Sequence, residues 1–528
     1  MSTRFNRSVP GVAACMATLL AVSPAAAQLA DKAQTRQAEE GINKTLAEQV
    51  GAGRGRVTTP GSSIFIIERD PFRAIRRGRQ LFQRKFTVGE GFGPRTGDGH
   101  GDIAAEGSVG AGLLDSCAGC HGRPRGSAGV GGNVFTRPDS RDAPHLFGLG
   151  LVEMLADEIT ADLRAIRDHA MLDARAAGSA VTRRLRSKGV GFGRITAGPD
   201  GPLDTSKVRG VDADLRVRPF FAEGRTISIR EFIVGAFDAE MGLESADPVL
   251  MAAAAGRRVT TPSGMVLDGS TDRIEAPPVD DSRDDSDGDG VVNEIDPALV
   301  DHMEFYLLNY FKPGRDRQTR AARRGRRRMY ELGCTGCHVE NLTVDTDRRV
   351  ADVETAHDET GGVFNQLFAT AEPRFDERDD GTGHPVLKQP QGQRFTVRGI
   401  YADFKRHDLG PNFWERNFDG TLHKEFMTEP LWGVGSTGPY GHDGRSMTLR
   451  NVILRHGGEA ERSRNAFARA SSWQQDQLVA FLRSLILFPP DDTASNLDAG
   501  DRGHPDFPQR GHGSIALGVL FNDPTDLE

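Results

Sequence analysis

The sequence predicts a mainly α-helical protein in which two similar domains are joined and carry long irregular loops. The first observation is a repeated frame, "SCAGCHG" at 116–122 and "GCTGCHV" at 333–339. The second is a glycine-containing helical stretch before each frame, at 75–86 and 323–333, which pairs Gly78 with Gly325 and Leu81–Phe82 with Met329–Tyr330. The third is the run 87–112, whose glycine content is typical of a loop.

The chain begins with the pattern of a secretory signal. Two arginines precede an apolar stretch from Val12 to Val22, and small residues lead up to Ala27. We expect cleavage after Ala27 and export to the periplasm. A lipid-attachment site at Cys15 is the weaker alternative, because too little apolar length precedes that cysteine. No later stretch approaches about 18 apolar residues in a row, so no transmembrane segment is predicted.

Apart from Cys15, every cysteine falls in one of the two repeated frames. Two thiols three residues apart can form thioethers with both vinyl groups of one haem, and the next residue can bind the iron through its imidazole. A zinc site and a redox dithiol are the alternatives, but an exported chain that uses all its mature cysteines in this way favours haem. The sequence predicts two covalent haem c groups, with His121 and His338 as iron ligands and Cys117, Cys120, Cys334 and Cys337 as attachment points.

The two frames define the expected domain organisation. A signal peptide (1–27) is followed by an N-terminal cytochrome c-like haem domain with insertions (28–279), a linker (280–300), a C-terminal cytochrome c-like haem domain (301–490) and an irregular tail (491–528). The stretch 472–488 is the expected closing helix of the second domain, with one apolar face formed by Leu478, Phe481, Leu482 and Leu485.

The linker contains a possible calcium loop. Alternate oxygen-bearing residues, a central glycine and two later ligands follow the spacing of such loops at Asp285, Asp287, Asp289, Val291, Asn293 and Asp296. Asp296 departs from the pattern, because a glutamate usually supplies both oxygens there. A solvated acidic linker is the alternative. The arginine-rich run 315–328 could likewise contact haem propionates or attract an acidic partner, or simply form a solvated helix face.

One long stretch, "TEPLWGVGSTGPYGHDGRSMTLRNVILRHGGEA" at 428–460, resembles the signature of the di-haem oxidoreductase family, which is related to bacterial di-haem cytochrome c peroxidases. Stretches at 141–159, 228–243 and 397–410 agree with that family, and the resemblance covers roughly residues 70–490. In those peroxidases a methionine ligand follows the histidine of a P-Y-x-H-D-G loop by fourteen residues. The same distance from His442 leads here to His456. The resemblance therefore implies that His338 and His456 bind opposite faces of the second haem, which would relay electrons.

For the first haem the resemblance implies an open face with Glu240, in "DAEMG", as the group that moves a proton during peroxide cleavage. Two positions depart from the family. A tryptophan that carries electrons between the haems falls on Ala222, and a distal glutamine falls on Phe232. Trp432 could replace that relay or serve as a core residue.

Four further residues have both a functional and a structural interpretation. His145 could bind the iron of the first haem reversibly, and Glu153 could act as a distal acid. A structural role is the simpler interpretation of each residue. For His407 and His442 we expect hydrogen bonds, to Asp408, a propionate or backbone in the first case and to Asp443 in the second.

The leading functional hypothesis is a periplasmic enzyme that takes electrons from a small donor protein, of cytochrome c or cupredoxin type, and reduces peroxide at the first haem. One alternative oxidises a small organic or protein substrate with the same centre. Another is a non-catalytic electron carrier or redox sensor with two six-coordinate irons. A homodimer is compatible with the family. The formal charge of −8 argues against binding to nucleic acid.

Overall fold

The structure is a computed structural model. It describes residues 46–84, 86, 117, 121, 143–241, 243–279, 283, 293–310, 318–357, 367–417 and 419–486. The predicted signal peptide, the glycine-rich run 87–112 and the tail from 491 lie outside these residues. The same holds for part of the predicted sites, namely Cys120, Asp285, Asp287, Asp289 and Val291.

Helices form most of the regular structure in the described residues. Their order is α1 (Leu46–Val50), α2 (Ser63–Arg69), α3 (Pro71–Gln83), α4 (Leu149–Ala177), α5 (Ile229–Met241), α6 (Pro248–Ala254), α7 (Pro297–Asn309), α8 (Arg320–Glu331), α9 (Leu449–Arg455), α10 (Glu461–Arg469) and α11 (Ser472–Arg483). The predicted apolar face of the closing helix is confirmed, since Leu478, Phe481, Leu482 and Leu485 are all buried, although α11 itself ends at Arg483. None of the described helices combines the length and apolar character that crossing a membrane requires.

Small antiparallel sheets occupy stretches that we expected to be irregular. One has three strands, β1 (Val181–Ser187), β2 (Val190–Ala197) and β3 (Leu203–Asp204). The others have two: β4 (Arg258–Thr260) with β5 (Val266–Asp268), β6 (Asn341–Val344) with β11 (Phe395–Arg398), β7 (Ala351–His357) with β8 (Leu367–Pro373), β9 (Phe375–Arg378) with β10 (Leu387–Pro390), β12 (Arg406–Asp408) with β15 (Glu425–Met427), and β13 (Glu415–Arg416) with β14 (Leu422–His423). Most of these strands are too short to show a clear alternating pattern in the sequence.

The predicted internal repeat is visible as two helix pairs that cross at a glycine. A Cβ added to Gly78 of α3 would lie 2.2 Å from the His302 carbonyl oxygen of α7. A Cβ added to Gly325 of α8 would lie 1.9 Å from the Gln477 carbonyl oxygen of α11. Only glycine permits either approach, so the two glycines have equivalent roles.

The apolar residues of the repeat need one correction. Counted from the two glycines, Phe82 corresponds to Met329, and both are 2% exposed. Tyr330 is 55% exposed and donates a hydrogen bond to Glu340, so it does not belong to a buried apolar pair. The predicted pairing was shifted by one residue, which moves a side chain by about 100° around a helix.

Among the described residues, the two larger hydrophobic cores do not coincide with the two halves of the sequence. The smaller core lies among α8, α9, α10 and α11 and includes Met329, Leu449, Phe467 and Phe481. The larger core contains the N-terminal helices together with α7, β6, β11 and Trp432. Helix α7 also carries Asp301 and Glu304, which bind the buried Arg230 of α5 at 2.9 and 2.7 Å. Helix α7, which the predicted boundary assigns to the C-terminal domain, therefore packs with the N-terminal helices.

Candidate haem sites

The second C-x-x-C-H frame follows α8 directly. Gly333 adopts a left-handed conformation (φ 80°) that ends the helix, and Cys334–Gly336 then form a single 3-10 turn. The amide of His338 donates to the Cys334 carbonyl at 3.0 Å, so the cysteines and the histidine share one compact turn. Burial raises the pKa of the Cys334 thiol to about 11, so the free thiol is protonated at neutral pH.

His456 follows the last residue of α9 and shares the surroundings of His338. The Thr448 side chain caps the start of this helix by accepting from the Asn451 amide. Burial, together with the nearby His338, lowers the pKa of His456 to about 4, so the imidazole is neutral. The Phe413 ring contacts it edge-on at 5.2 Å between centroids.

The three histidines predicted to bind iron share one hydrogen-bonding pattern. Nδ1 lies 3.0 Å from the Tyr401 carbonyl in His338, 2.6 Å from the Val452 carbonyl in His456 and 2.6 Å from the Pro144 carbonyl in His121. A carbonyl can only accept, so each Nδ1 carries the proton and each Nε2 presents a bare lone pair. That is the tautomer in which a histidine binds a metal. The donor set therefore fits haem iron.

The surroundings of His121 are more apolar than the family pattern implies. Phe232 of α5 meets the imidazole edge-to-face at 6.2 Å, and Phe221 lies 5.5 Å from Phe232. Burial lowers the pKa of His121. Cys117 packs against the larger core, as an anchored frame requires.

Glu240 lies on the same helix as Phe232 but near its other end. Helix α5 begins with reciprocal hydrogen bonds between Ser228 and Glu231, which satisfy its first amides. Glu240 comes eight residues after Phe232, about 12 Å further along the axis, and its side chain is exposed. Among the described residues, Phe232 is therefore the side chain of this helix that contacts His121.

His145 and Glu153 both have structural partners. His145 accepts from the Phe147 amide through Nδ1 (3.3 Å) and donates to the Trp432 carbonyl through Nε2 (2.8 Å), so it has no bare nitrogen for iron. Burial lowers its pKa to about 4. Glu153 is buried, accepts from the Ile229 amide at 2.7 Å and pairs with Arg348 at 2.6 Å. Burial raises the pKa of Glu153 to about 7, although Arg348 opposes the shift.

The partners predicted for two loop histidines were wrong. His407 contacts Asp403 and Glu459, each at 2.9 Å, and not Asp408. His442 lies 2.9 Å from Glu415 and stacks on Phe426 at 3.9 Å. Its neighbour Asp443 pairs instead with Arg455, and Arg455 also donates a hydrogen bond to the Asn412 carbonyl.

One further cluster could compete with haem for a metal. Cys337, Asp403 and His407 bring one ligand atom each within 4.8 Å of one another. Burial lowers the pKa of His407, but its hydrogen bonds to Asp403 and Cys337 raise it to about 11 overall. A protonated imidazole cannot bind a metal, and a thioether at Cys337 would remove a thiolate donor. Haem attachment and a zinc site therefore exclude each other at Cys337.

The two described members of the predicted calcium loop have protein partners. Asn293 accepts from the Ala246 amide at 2.7 Å, and Asp296 caps α7 by accepting from Ala298 at 2.7 Å. Each carboxylate or amide oxygen used in this way is one fewer for an ion.

Sequence reasoning missed Glu429, in the "TEPLWG" part of the signature. Desolvation by the surrounding protein raises its pKa to about 7, and its side chain remains exposed to solvent. Its position three residues before Trp432 is the only sequence signal that could have marked it.

Comparisons with known proteins agree with this description of the second half. Residues 336–485 match the model of the family described as "Di-haem oxidoreductase, putative peroxidase", a range that contains His338 and His456. No curated protein matches the chain. Two solved structures are similar: a hydrazine synthase of Kuenenia stuttgartiensis pressurised with xenon (17% identity, 39% of this chain and 60% of that chain, TM-score 0.23) and a MauG-like protein associated with microbial copper homeostasis (14% identity, 66% and 92%, TM-score 0.24). The chain thus spans 60% of the first of these structures. Over residues 336–485 the chain is therefore similar to the di-haem oxidoreductase family that its sequence resembles.

Proposed function

We propose that this chain is a periplasmic di-haem c-type oxidoreductase that reduces peroxide, with two cytochrome c-like haem sites. The observation that carries the proposal is the shared tautomer of His121, His338 and His456, each with a bare Nε2. By contrast, the Nε2 atoms of His145 and His407 are committed to Trp432 and Asp403. The histidines selected by the sequence as ligands are those whose hydrogen bonds prepare them to bind iron.

The two haem sites would have different roles. Haem supplies electron storage where both faces are occupied and peroxide reduction where one face is open. His338 and His456 would occupy both faces at the second site and keep substrate away. His121 would hold one face at the first site. Reduction of one peroxide to two waters takes two electrons and two protons, and Glu240 would deliver protons there.

The proposal is tested on the half-reduced holoprotein. We expect one low-spin and one high-spin haem, and consumption of hydrogen peroxide with a small-molecule reductant. Two low-spin haems that do not react with peroxide would refute the peroxidase function. That result would favour the alternative of an electron carrier or redox sensor. Glu240→Gln should slow peroxide consumption by about 100-fold without loss of haem. Glu377→Gln, which changes an exposed glutamate of β9, is the matched control and should leave the rate unchanged.

For the electron donor we propose a small acidic redox protein that docks on α8. Arg320, Arg323, Arg324 and Arg327 are exposed on this helix, and no described carboxylate pairs with them. Arg324 lies over the exposed Trp473 ring at 5.5 Å, which adds an apolar contact to the cationic surface. Helix α8 leads directly into the second C-x-x-C-H frame, where electrons would enter. Opposite charge accelerates such encounters strongly at low salt.

The docking proposal is tested with an acidic cupredoxin as probe. Arg323→Glu combined with Arg324→Glu should slow electron uptake at low salt by tenfold or more and flatten its salt dependence. Arg184→Glu combined with Arg186→Glu, on the exposed side of β1, is the control with equal charge change. Equal slowing by both pairs would mean that net charge, and not α8, steers the donor.

Three further expectations complete the proposal. Cys117, Cys120, Cys334 and Cys337 would hold both haems covalently, which acid–acetone extraction tests directly. The loop 285–296 would bind calcium, and metal analysis of the purified protein with and without a chelator tests that. A homodimer would show in light scattering.

A further inference from the structure

Hydrogen bonds joined by short backbone segments connect the first predicted iron ligand, His121, to the second, His338. His121 donates through Nδ1 to the Pro144 carbonyl at 2.6 Å. The next residue, His145, donates through Nε2 to the Trp432 carbonyl at 2.8 Å. The residue that contacts Trp432, His145, therefore directly follows Pro144, whose carbonyl accepts from His121.

The same connection continues to the second ligand. Leu431, which precedes Trp432, donates its amide to the Ile400 carbonyl at 3.0 Å. The residue after Ile400 is Tyr401, whose carbonyl accepts from His338 Nδ1 at 3.0 Å. The carbonyls that accept from His121 and His338 thus belong to one path of hydrogen bonds and backbone segments.

Apart from the two predicted ligands, the side chain that contributes a hydrogen bond to this path is that of His145. Its Nδ1 accepts from the Phe147 amide, and this bond fixes Nε2 as the donor. Gly148, in a left-handed conformation, lets the chain approach so closely that an added Cβ would lie 2.7 Å from the Trp432 ring. Trp432 is buried, so its carbonyl is a fixed reference point.

We propose that His145 is a positioning residue that couples the two haem sites, because it holds the carbonyl of Pro144 against His121 from a fixed point beside Trp432. The proposal rests on the proposed function, since it requires two bound haems. A hydrogen bond from Nδ1 makes an imidazole a stronger donor to iron and lowers the potential of the haem. Losing the link should raise the potential of the first haem and weaken its response to reduction of the second.

Two isosteric substitutions separate coupling from simple packing. In His145→Asn the amide oxygen replaces Nδ1 and can still accept from Phe147, but the side chain is too short for Trp432. In His145→Gln the amide nitrogen replaces Nε2 and keeps the bond to Trp432. Spectroscopic redox titration of the holoprotein should show a raised first-haem potential and weaker interaction between the haems in His145→Asn only. Unchanged potentials in His145→Asn, or equal changes in both variants, would overturn the proposal.

A third variant tests which part of Trp432 matters. Trp432→Phe keeps the backbone carbonyl, so the potentials should stay at the wild-type values. If it matched His145→Asn, the indole ring and not the hydrogen bond would carry the coupling, and the proposal would fail. A protein that binds fewer than two haems would instead refute the proposed function. Two bound haems with potentials insensitive to His145 would refute only this inference.

Discussion

The two candidate haem sites are alike on one side and different on the other. In each, a helix pair crosses at a glycine, Gly78 in α3 and α7 and Gly325 in α8 and α11. In each, a histidine donates through Nδ1 to a backbone carbonyl. The second site adds His456 with a bare Nε2, whereas the described side chain in contact with His121 is Phe232. The glycine crossing and the Nδ1 hydrogen bond are common to both sites, and the second histidine, His456, is what distinguishes the second site.

The largest expected effect comes from removing the imidazole of His456 from the second site. His456→Ala should convert the second haem from low-spin to high-spin, because one of its two axial ligands is lost. His442→Gln, in the loop before α9, is the control and should leave the spectrum unchanged, since His442 contacts Glu415. A low-spin spectrum in His456→Ala would make the two sites equivalent. Electronic absorption and magnetic resonance spectra report the change.

The shared glycine crossings should respond alike to a single added methyl group. Gly78→Ala and Gly325→Ala each place a Cβ far inside contact distance of a backbone carbonyl, and each should lower the free energy of unfolding by about 2 to 3 kcal/mol. Gly191→Ala in β2, which meets nothing within 4 Å, is the control. Chemical denaturation measures all three variants. A loss at only one crossing would show that the repeat does not extend to packing.

The sequence predicted the features that the two sites share, because these features depend on residues that lie close together in the chain. The C-x-x-C-H spacing follows from haem chemistry, and the glycine-centred stretches lie near it in the chain. His456 was predicted as a ligand from its distance to His442, and its tautomer is compatible with that role. The partners of His145, His407 and His442 could not be predicted, because Trp432, Glu459 and Glu415 are brought to them only by the fold.

A pH-dependent charge, that of Glu153, lies at the start of α5, the helix that carries Phe232. Burial raises the pKa of Glu153 to about 7, so the folded protein binds a proton there that the unfolded chain has lost above about pH 4.5. Stability should therefore fall by about 2 kcal/mol as the pH rises from 5 to 8. Glu153→Gln should remove this slope, because glutamine does not titrate. Denaturation across this range measures it, and an unchanged slope would assign the dependence to another group.

The smallest effect concerns the caps of the helices that carry Phe232 and His456. Thr448 caps α9, which has 7 residues, and Ser228 caps α5, which has 13. Replacing either by alanine should cost about 1 kcal/mol of unfolding free energy. A short helix has few other bonds to keep it formed, so Thr448→Ala should also free His456 and turn the second haem high-spin below the unfolding temperature. Ser228→Ala should leave that haem low-spin until the protein unfolds. Parallel heating curves for spin state and helix content decide whether the second ligand depends on its own helix end or on the whole fold.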